Sequence, residues 1–224
     1  MERFAVIGLG RFGTQLATNL AAHGAEVIAI DRDRQIVEDL RDRVTLAIAL
    51  DSTDEGALRI QGIEQVDCAI VGIGHDFEAA ALSTVILKRL GLTRVISRAG
   101  NHMQAQILKS IGADGVVQPE DESADRWSNR LLAPFIIDHI ELGEGYGLVQ
   151  MKAPKAWTET PLAETNVRNT HNVTIVAIKR LIDESAGGAA QDRRVILPQP
   201  DSRLLESDTL VIAGFDKDLK RLPR

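Results

Sequence analysis

Six short apolar runs, at residues 4–7, 27–30, 45–50, 69–71, 95–97 and 116–117, alternate with longer amphipathic stretches in the first half of the chain. The runs are almost continuously apolar, the pattern of strands covered on both faces. The stretches between them repeat their apolar residues at helical spacing, as with Leu16, Ala17, Leu20 and Ala21 in 14–22 and Ile36, Val37 and Leu40 in 33–43. Helices are also expected over 77–90 and 102–111, closed by Gly91 and Gly112. Such alternation predicts a parallel, doubly wound α/β sheet. Right-handed crossovers then bring all six strand C-termini to one edge.

The pattern changes after "QPEDES". Residues 123–132 read as one more helix, with Trp127, Leu131 and Leu132 on its apolar side and Pro134 interrupting it. Short strands follow at 146–151, 174–178, 195–197 and 209–212, and 183–192 reads as a hairpin connection. The chain is therefore divided near 134, into a domain at 1–134 and a smaller α+β domain at 135–224. The net charge of −6 lacks the basic excess of a non-specific nucleic-acid binder. The single Cys68 excludes an intrachain disulfide and a cysteine-based zinc cluster. No apolar run approaches the ~20 residues that span a bilayer, and the first residues carry a strand and a glycine loop rather than a leader. A cytoplasmic location is expected.

"GLGRFG" places Gly8, Gly10 and Gly13 in G-x-G-x-x-G spacing between a strand and a helix. Asp31 ends the next strand 18 residues beyond Gly13, near the ~20 typical of Rossmann-type dinucleotide sites. Gly8 permits the turn, Gly10 lets a pyrophosphate approach the backbone, and Gly13 lets helix and strand pack. Helix N–H groups and the helix dipole then hold the phosphates. Asp31 accepts ribose hydroxyls and disfavours a 2′-phosphate. Asp51, in "LDST", either bonds an adenine amino group or caps the next helix. Gly72 and Gly74 leave room for a flat base or ribose. Arg98 either pairs with a phosphate or is a surface charge. Arg11 either favours a more highly charged ligand such as ATP or ADP, or is a solvated residue at the helix start. The five histidines are scattered, with no persuasive carboxylate pairing, and His75 lies nearest the expected ligand edge. These features favour a nucleotide sensor over an enzyme. A NAD-dependent oxidoreductase with a small substrate domain is the alternative.

"FAVIGLGRFG", "IDRD", "LDST", "IGADGVVQPE" and "NVTIVAIKR…DTLVIAGFDKDLKRL" together resemble the cytosolic regulatory subunits of bacterial Trk/Ktr potassium-uptake systems, over essentially the whole chain. The resemblance implies a nucleotide-binding RCK domain (regulator of conductance of potassium) with a crossover helix, then an RCK C-terminal domain. It implies ATP or ADP as ligand, with NAD or NADH as other candidates. Gly8, Gly10 and Gly13 would hold phosphates, with Arg11 reaching the γ-phosphate across a dimer interface and Phe12 beside it. Asp31 and Arg32 would lie at the ribose, and Asp51, Ser52 and Thr53 near adenine. Gly72, Ile73, Gly74 and Arg98 would complete the site. Glu120 would sit near the γ-phosphate with Mg²⁺ or a similar cation between them, or serve as a helix N-terminal acid. Trp127, Leu131, Leu132 and Phe135 would be covered by a neighbouring subunit or within the chain. Arg168, Asn172 and Thr174 would form a second site, for cyclic di-AMP. The implied assembly is an octameric ring of dimers, held at the membrane by a potassium-transporting subunit.

Overall fold

The computed structural model describes residues 2–132, 135–158, 160–181 and 193–223. Six parallel strands form the first sheet: β1 (Arg3–Ile7), β2 (Glu26–Asp31), β3 (Leu46–Ala49), β4 (Cys68–Val71), β5 (Val95–Arg98) and β6 (Gly115–Val117). Their order is β3-β2-β1-β4-β5-β6, the doubly wound arrangement expected from the sequence. Its topological switch point lies between β1 and β4, where such sheets open a crevice at their strand C-termini. The helices are α1 (Arg11–Ala22), α2 (Arg34–Leu40), α3 (Glu55–Ile60), α4 (Phe77–Arg89), α5 (His102–Ser110) and α6 (Pro119–Leu132).

Period-two alternation splits each central strand between two cores. Ala5 and Ile7, Ile28 and Ile30, and Ala69 and Val71 join Leu58 and Leu87 on one face. Val6, Val27, Ala29, Cys68 and Ile70 join Ala17, Val37 and Leu40 on the other. Cys68 is a small core residue, and burial pushes its thiol up, keeping it protonated.

Asp114 ties three elements together. Its carboxylate accepts from Val95 N–H at 2.7 Å and from Lys88 Nζ at 2.9 Å. The Lys88 hydrogen bond, then that of Val95, holds the carboxyl below its ordinary range. A depressed carboxyl stabilises the fold above its unfolded pKa, and that contribution is lost as pH falls through the folded one. Asp114→Asn should therefore lower the melting temperature at neutral pH. The difference from wild type should shrink below about pH 4 in thermal unfolding scans. A constant difference down to acid pH would remove the charge from this clamp.

The second sheet is antiparallel, in the order β10-β9-β11-β8-β7. Its strands are β7 (Ile136–Gly143), β8 (Tyr146–Lys152), β9 (Val173–Leu181), β10 (Arg193–Ile196) and β11 (Thr209–Phe215). Short helices α7 (Leu162–Thr165), α8 (Val167–His171) and α9 (Asp216–Leu219) accompany it. Its core gathers Val149, Met151, Trp157, Ile178, Leu204 and Leu210. β7 was not expected from the sequence, because two register shifts break its alternation. The compact units are Met1–Glu122 and Ser123–Arg224, dividing inside α6, whereas the sequence places the division at 134. Pro134 and the connection 183–192 lie outside the described residues.

Candidate functional site

The turn from β1 into α1 is built on its glycines. Gly8 has φ +87°, and a Cβ there would stand 2.8 Å from the Ile73 nitrogen. A Cβ on Gly13 would run into the Gly8 carbonyl oxygen. Gly10, by contrast, has nothing within 4 Å of a Cβ position. Gly8 and Gly13 thus serve the fold, while Gly10 leaves an open approach to the backbone. Thr14 pins the turn: its hydroxyl donates to Leu9 O at 2.7 Å and its N–H to Gly10 O at 2.9 Å.

The helices around this edge start differently. Asp33, Asp54, Asp76 and Asn101 cap α2, α3, α4 and α5 with side-chain oxygens. α1 starts at Gly10 with no side-chain cap and no acid in its first turn. Its first N–H groups and its positive dipole end are left for an anion.

That helix start opens into a cleft of about 650 Å³ along the strand C-termini, within the range of small-molecule sites. Gly8, Gly10, Arg11 and Phe12 line it from the turn, and Asp31 and Arg32 from the end of β2. Asp51 and Ser52 follow β3, Gly72, Ile73 and Gly74 follow β4, Arg98 ends β5, and Glu120 stands in the first turn of α6. Gly13 and Thr53, both expected at the site, are not on its wall. Gly13 is packed under the turn, and Thr53 folds back onto Asp51. Phe12 also packs against the α1 core. Ile36, Leu50, His75, Asp76 and Ala79 add to the wall. Of these, only His75 had been placed near the ligand edge from sequence.

The acids of the cleft carry local duties. Asp31 accepts from Leu9 N–H at 2.6 Å and from Asp33 N–H at 2.9 Å, so it fixes the glycine turn as well as facing the cleft. Asp51 accepts from the N–H and hydroxyl of Thr53, and these bonds, with the Arg32 charge nearby, hold its carboxyl below the ordinary range. Asp51 is therefore not the cap of the next helix, which is Asp54. The Ser52 hydroxyl pairs with Ser83 at 2.7 Å, and Thr84 pairs with Ser97 at 2.8 Å. These buried pairs tether α4 to the end of β3 and to β5 beside Arg98. The Arg32 guanidinium is exposed, 4.0 Å from Asp76. Arg98 Nη2 donates to Glu120 Oε1 at 2.5 Å.

Outside the cleft, Trp127 and Leu131 stand 55% and 73% exposed, one helical turn apart on α6, with the Arg130 guanidinium 5.2 Å from the Trp127 ring. Phe135 packs against the core of the second unit. The Leu132 side chain lies outside the described residues. In the second unit, Arg168 is exposed on α8 and Thr174 is half-buried on β9. The Asn172 amide donates to Asp218 at 2.9 Å, which sets a carboxylate beside that turn. Among the described residues, no three His, Cys, Asp or Glu side chains gather as metal ligands, and no helix is long and apolar enough to cross a membrane.

Residues 4–119 match the family model for the TrkA-N domain. The chain is 32% identical to the Ktr system potassium uptake protein C of Bacillus subtilis strain 168, over 100% of this chain and 96% of that one. The GsuK channel bound to NAD is 26% identical with a TM-score of 0.54, across 98% of this chain and 37% of the channel chain. GsuK bound to ADP is 29% identical with a TM-score of 0.51, across 58% of this chain and 34% of that one. The chain thus spans little more than a third of those channel chains. With its six-stranded unit matched by the TrkA-N model and its whole length by a Ktr uptake protein, the chain belongs to the TrkA-N family of potassium-uptake proteins.

Proposed function

We propose that this chain is a nucleotide-sensing regulatory subunit of a membrane potassium transporter of the Trk/Ktr type. The observation that carries this is the cleft at the uncapped start of α1, in a chain similar from end to end to a Ktr uptake protein. Phosphates sit at the first N–H groups of α1, flanked by Arg11 and Arg98. The ribose hydroxyls bond Asp31, and the base lies toward Asp51 and Ser52. NAD and ADP in the GsuK structures support an adenine nucleotide here. The ligand is a signal and is not consumed. ATP and ADP move the transporter only through a difference in affinity for two states of the subunit, and several identical sites add that difference. A divalent cation such as Mg²⁺ would be held by Glu120 together with phosphate oxygens. The exposed Trp127 and Leu131 suit a seam between copies in a ring of dimers, and the subunit works in the cytoplasm, held at the membrane by its transporter.

The test is equilibrium binding of ATP, ADP, NAD⁺ and NADH to the full chain, with light scattering under each ligand. Potassium flux through a Trk/Ktr-type membrane subunit follows. Micromolar ATP and ADP binding to a large assembly, with flux that depends on the nucleotide, supports the proposal. NADH preference with hydride transfer and no effect of ATP replaces it with an oxidoreductase. In the same assays Asp31→Ala should weaken every ribose-bearing ligand by about 1–3 kcal/mol. It should also lower the melting temperature, because Leu9 N–H loses its acceptor. Unchanged binding would put the ribose elsewhere.

A further inference from the structure

Arg98 and Glu120 are an unequal pair. The Arg98 side chain is 17% exposed and that of Glu120 65%. The Arg98 guanidinium lies over Gly74, so closely that a Cβ there would be 2.8 Å from Cζ. Its Nε is buried with no hydrogen-bond partner. The cation is therefore seated by backbone and packing. The carboxylate stands in the first turn of α6 with solvent around it and can swing away at small cost. The neighbouring acids behave differently: Asp121 accepts from the Gln118 side chain and Glu122 from the Gln118 N–H. Glu120 turns into the cleft and occupies a cation on its wall.

We propose that Glu120 is a built-in competitor for phosphate at Arg98, and so sets how much affinity the site gains from phosphate charge. The proposal rests on the reading that nucleotide phosphates enter this cleft. Glu120 holds one of the two Nη2 hydrogens, so a phosphate oxygen that takes it displaces the carboxylate, and one that uses another guanidinium N–H still meets the carboxylate charge nearby. Glu120 thus discriminates against anionic ligands unless their binding outweighs the ion pair. A ligand without phosphate leaves the pair intact and is indifferent to it.

The test is calorimetric binding of adenosine and ADP to the full chain in EDTA, so that no divalent cation bridges carboxylate and phosphate, with wild type and Glu120→Gln compared. Glu120→Gln is expected to bind ADP roughly threefold to tenfold more tightly, with adenosine unchanged. The ligand-free melting temperature should be level or slightly lower. Stability and ADP affinity would then move apart, which a purely structural partner of Arg98 cannot produce. If wild type binds ADP and Glu120→Gln binds it equally or less well, the competition does not exist. An equal gain for adenosine would also overturn it, since the effect would not depend on phosphate. If wild type binds no ADP at all, the nucleotide reading fails and this proposal fails with it.

Discussion

Gly10→Ala should cost the protein its nucleotide and none of its stability, while Gly13→Ala should cost it stability first. At Gly10 the backbone has φ −65° and ψ −170°, which alanine adopts freely, and no atom lies within 4 Å of the new Cβ. Removing glycine freedom from the unfolded chain stabilises by about 0.4–1 kcal/mol. On the proposed function, however, the methyl group stands where phosphate oxygens would approach the first N–H groups of α1. Losing one such charged hydrogen bond costs about 1.5–3 kcal/mol, roughly tenfold to a hundredfold in affinity. At Gly13 the Cβ meets the Gly8 carbonyl, a backbone atom that cannot swing aside. Overpacking of that kind costs about 1–3 kcal/mol. It also displaces the turn that Asp31 and Thr14 hold. Melting curves and ADP calorimetry on both variants decide the matter. Unchanged ADP affinity in Gly10→Ala would move the phosphates off this turn. A wild-type melting temperature in Gly13→Ala would mean that the turn has slack.

The doubly wound sheet is legible in the sequence because strands buried on both faces leave nearly unbroken apolar runs, such as "FAVI" and "VIAI". Parallel order then brings Asp31, Asp51, Gly72 and Arg98 to one edge before any contact is known. What spacing does not carry is the pairing of side chains across elements. Ser52 and Ser83 are distant in sequence, yet their hydroxyls meet inside the protein. Arg98 and Glu120 can each be marked as site residues, but their mutual ion pair depends on where α6 starts relative to β5. Asp31 reads as a ribose acceptor, whereas its bond to Leu9 N–H depends on a turn whose shape is a backbone property. Asp51 reads from the sequence as an adenine contact or as the cap of the next helix, and the geometry gives that cap to Asp54, which the sequence reading did not single out. In the second unit β7 escapes notice because its bulges put Ile137 and Ile140 outward against a period-two reading.

Asp208→Ala is expected to be among the most damaging single changes in the second unit, at about 2–4 kcal/mol. Asp208 is fully buried and precedes β11. Its carboxylate accepts from Arg180 Nε at 2.9 Å and Nη2 at 2.8 Å, and from Leu205 N–H at 2.9 Å. Its backbone carbonyl accepts from Ala153 N–H, just after β8. Arg180 Nη2 reaches on to Arg203 O, so one buried acid joins β8, β9 and the turn that leads into β11. Removing one partner of a buried pair costs about 3–5 kcal/mol. Arg180 is a third exposed and regains water, which lowers the figure. Asp208→Asn keeps an acceptor for Leu205 N–H and should lose about half as much. The hydrogen bonds that Arg180 donates to the Asp208 carboxylate raise the Arg180 pKa above its ordinary value. A raised base contributes fully below its unfolded pKa, so the Arg180 contribution stays level across neutral pH; that of Asp114 is level there too and is lost only on acidification. Because every residue lining the cleft proposed for the nucleotide lies in Met1–Glu122, ADP affinity should survive Asp208→Ala while the unfolding transition of Ser123–Arg224 moves down. Urea unfolding with and without ADP separates the two effects. Equal loss of stability and of ADP binding would mean that the second unit shapes the cleft directly. Wild-type stability would mean that Arg180 and Asp208 contribute no more than their burial costs.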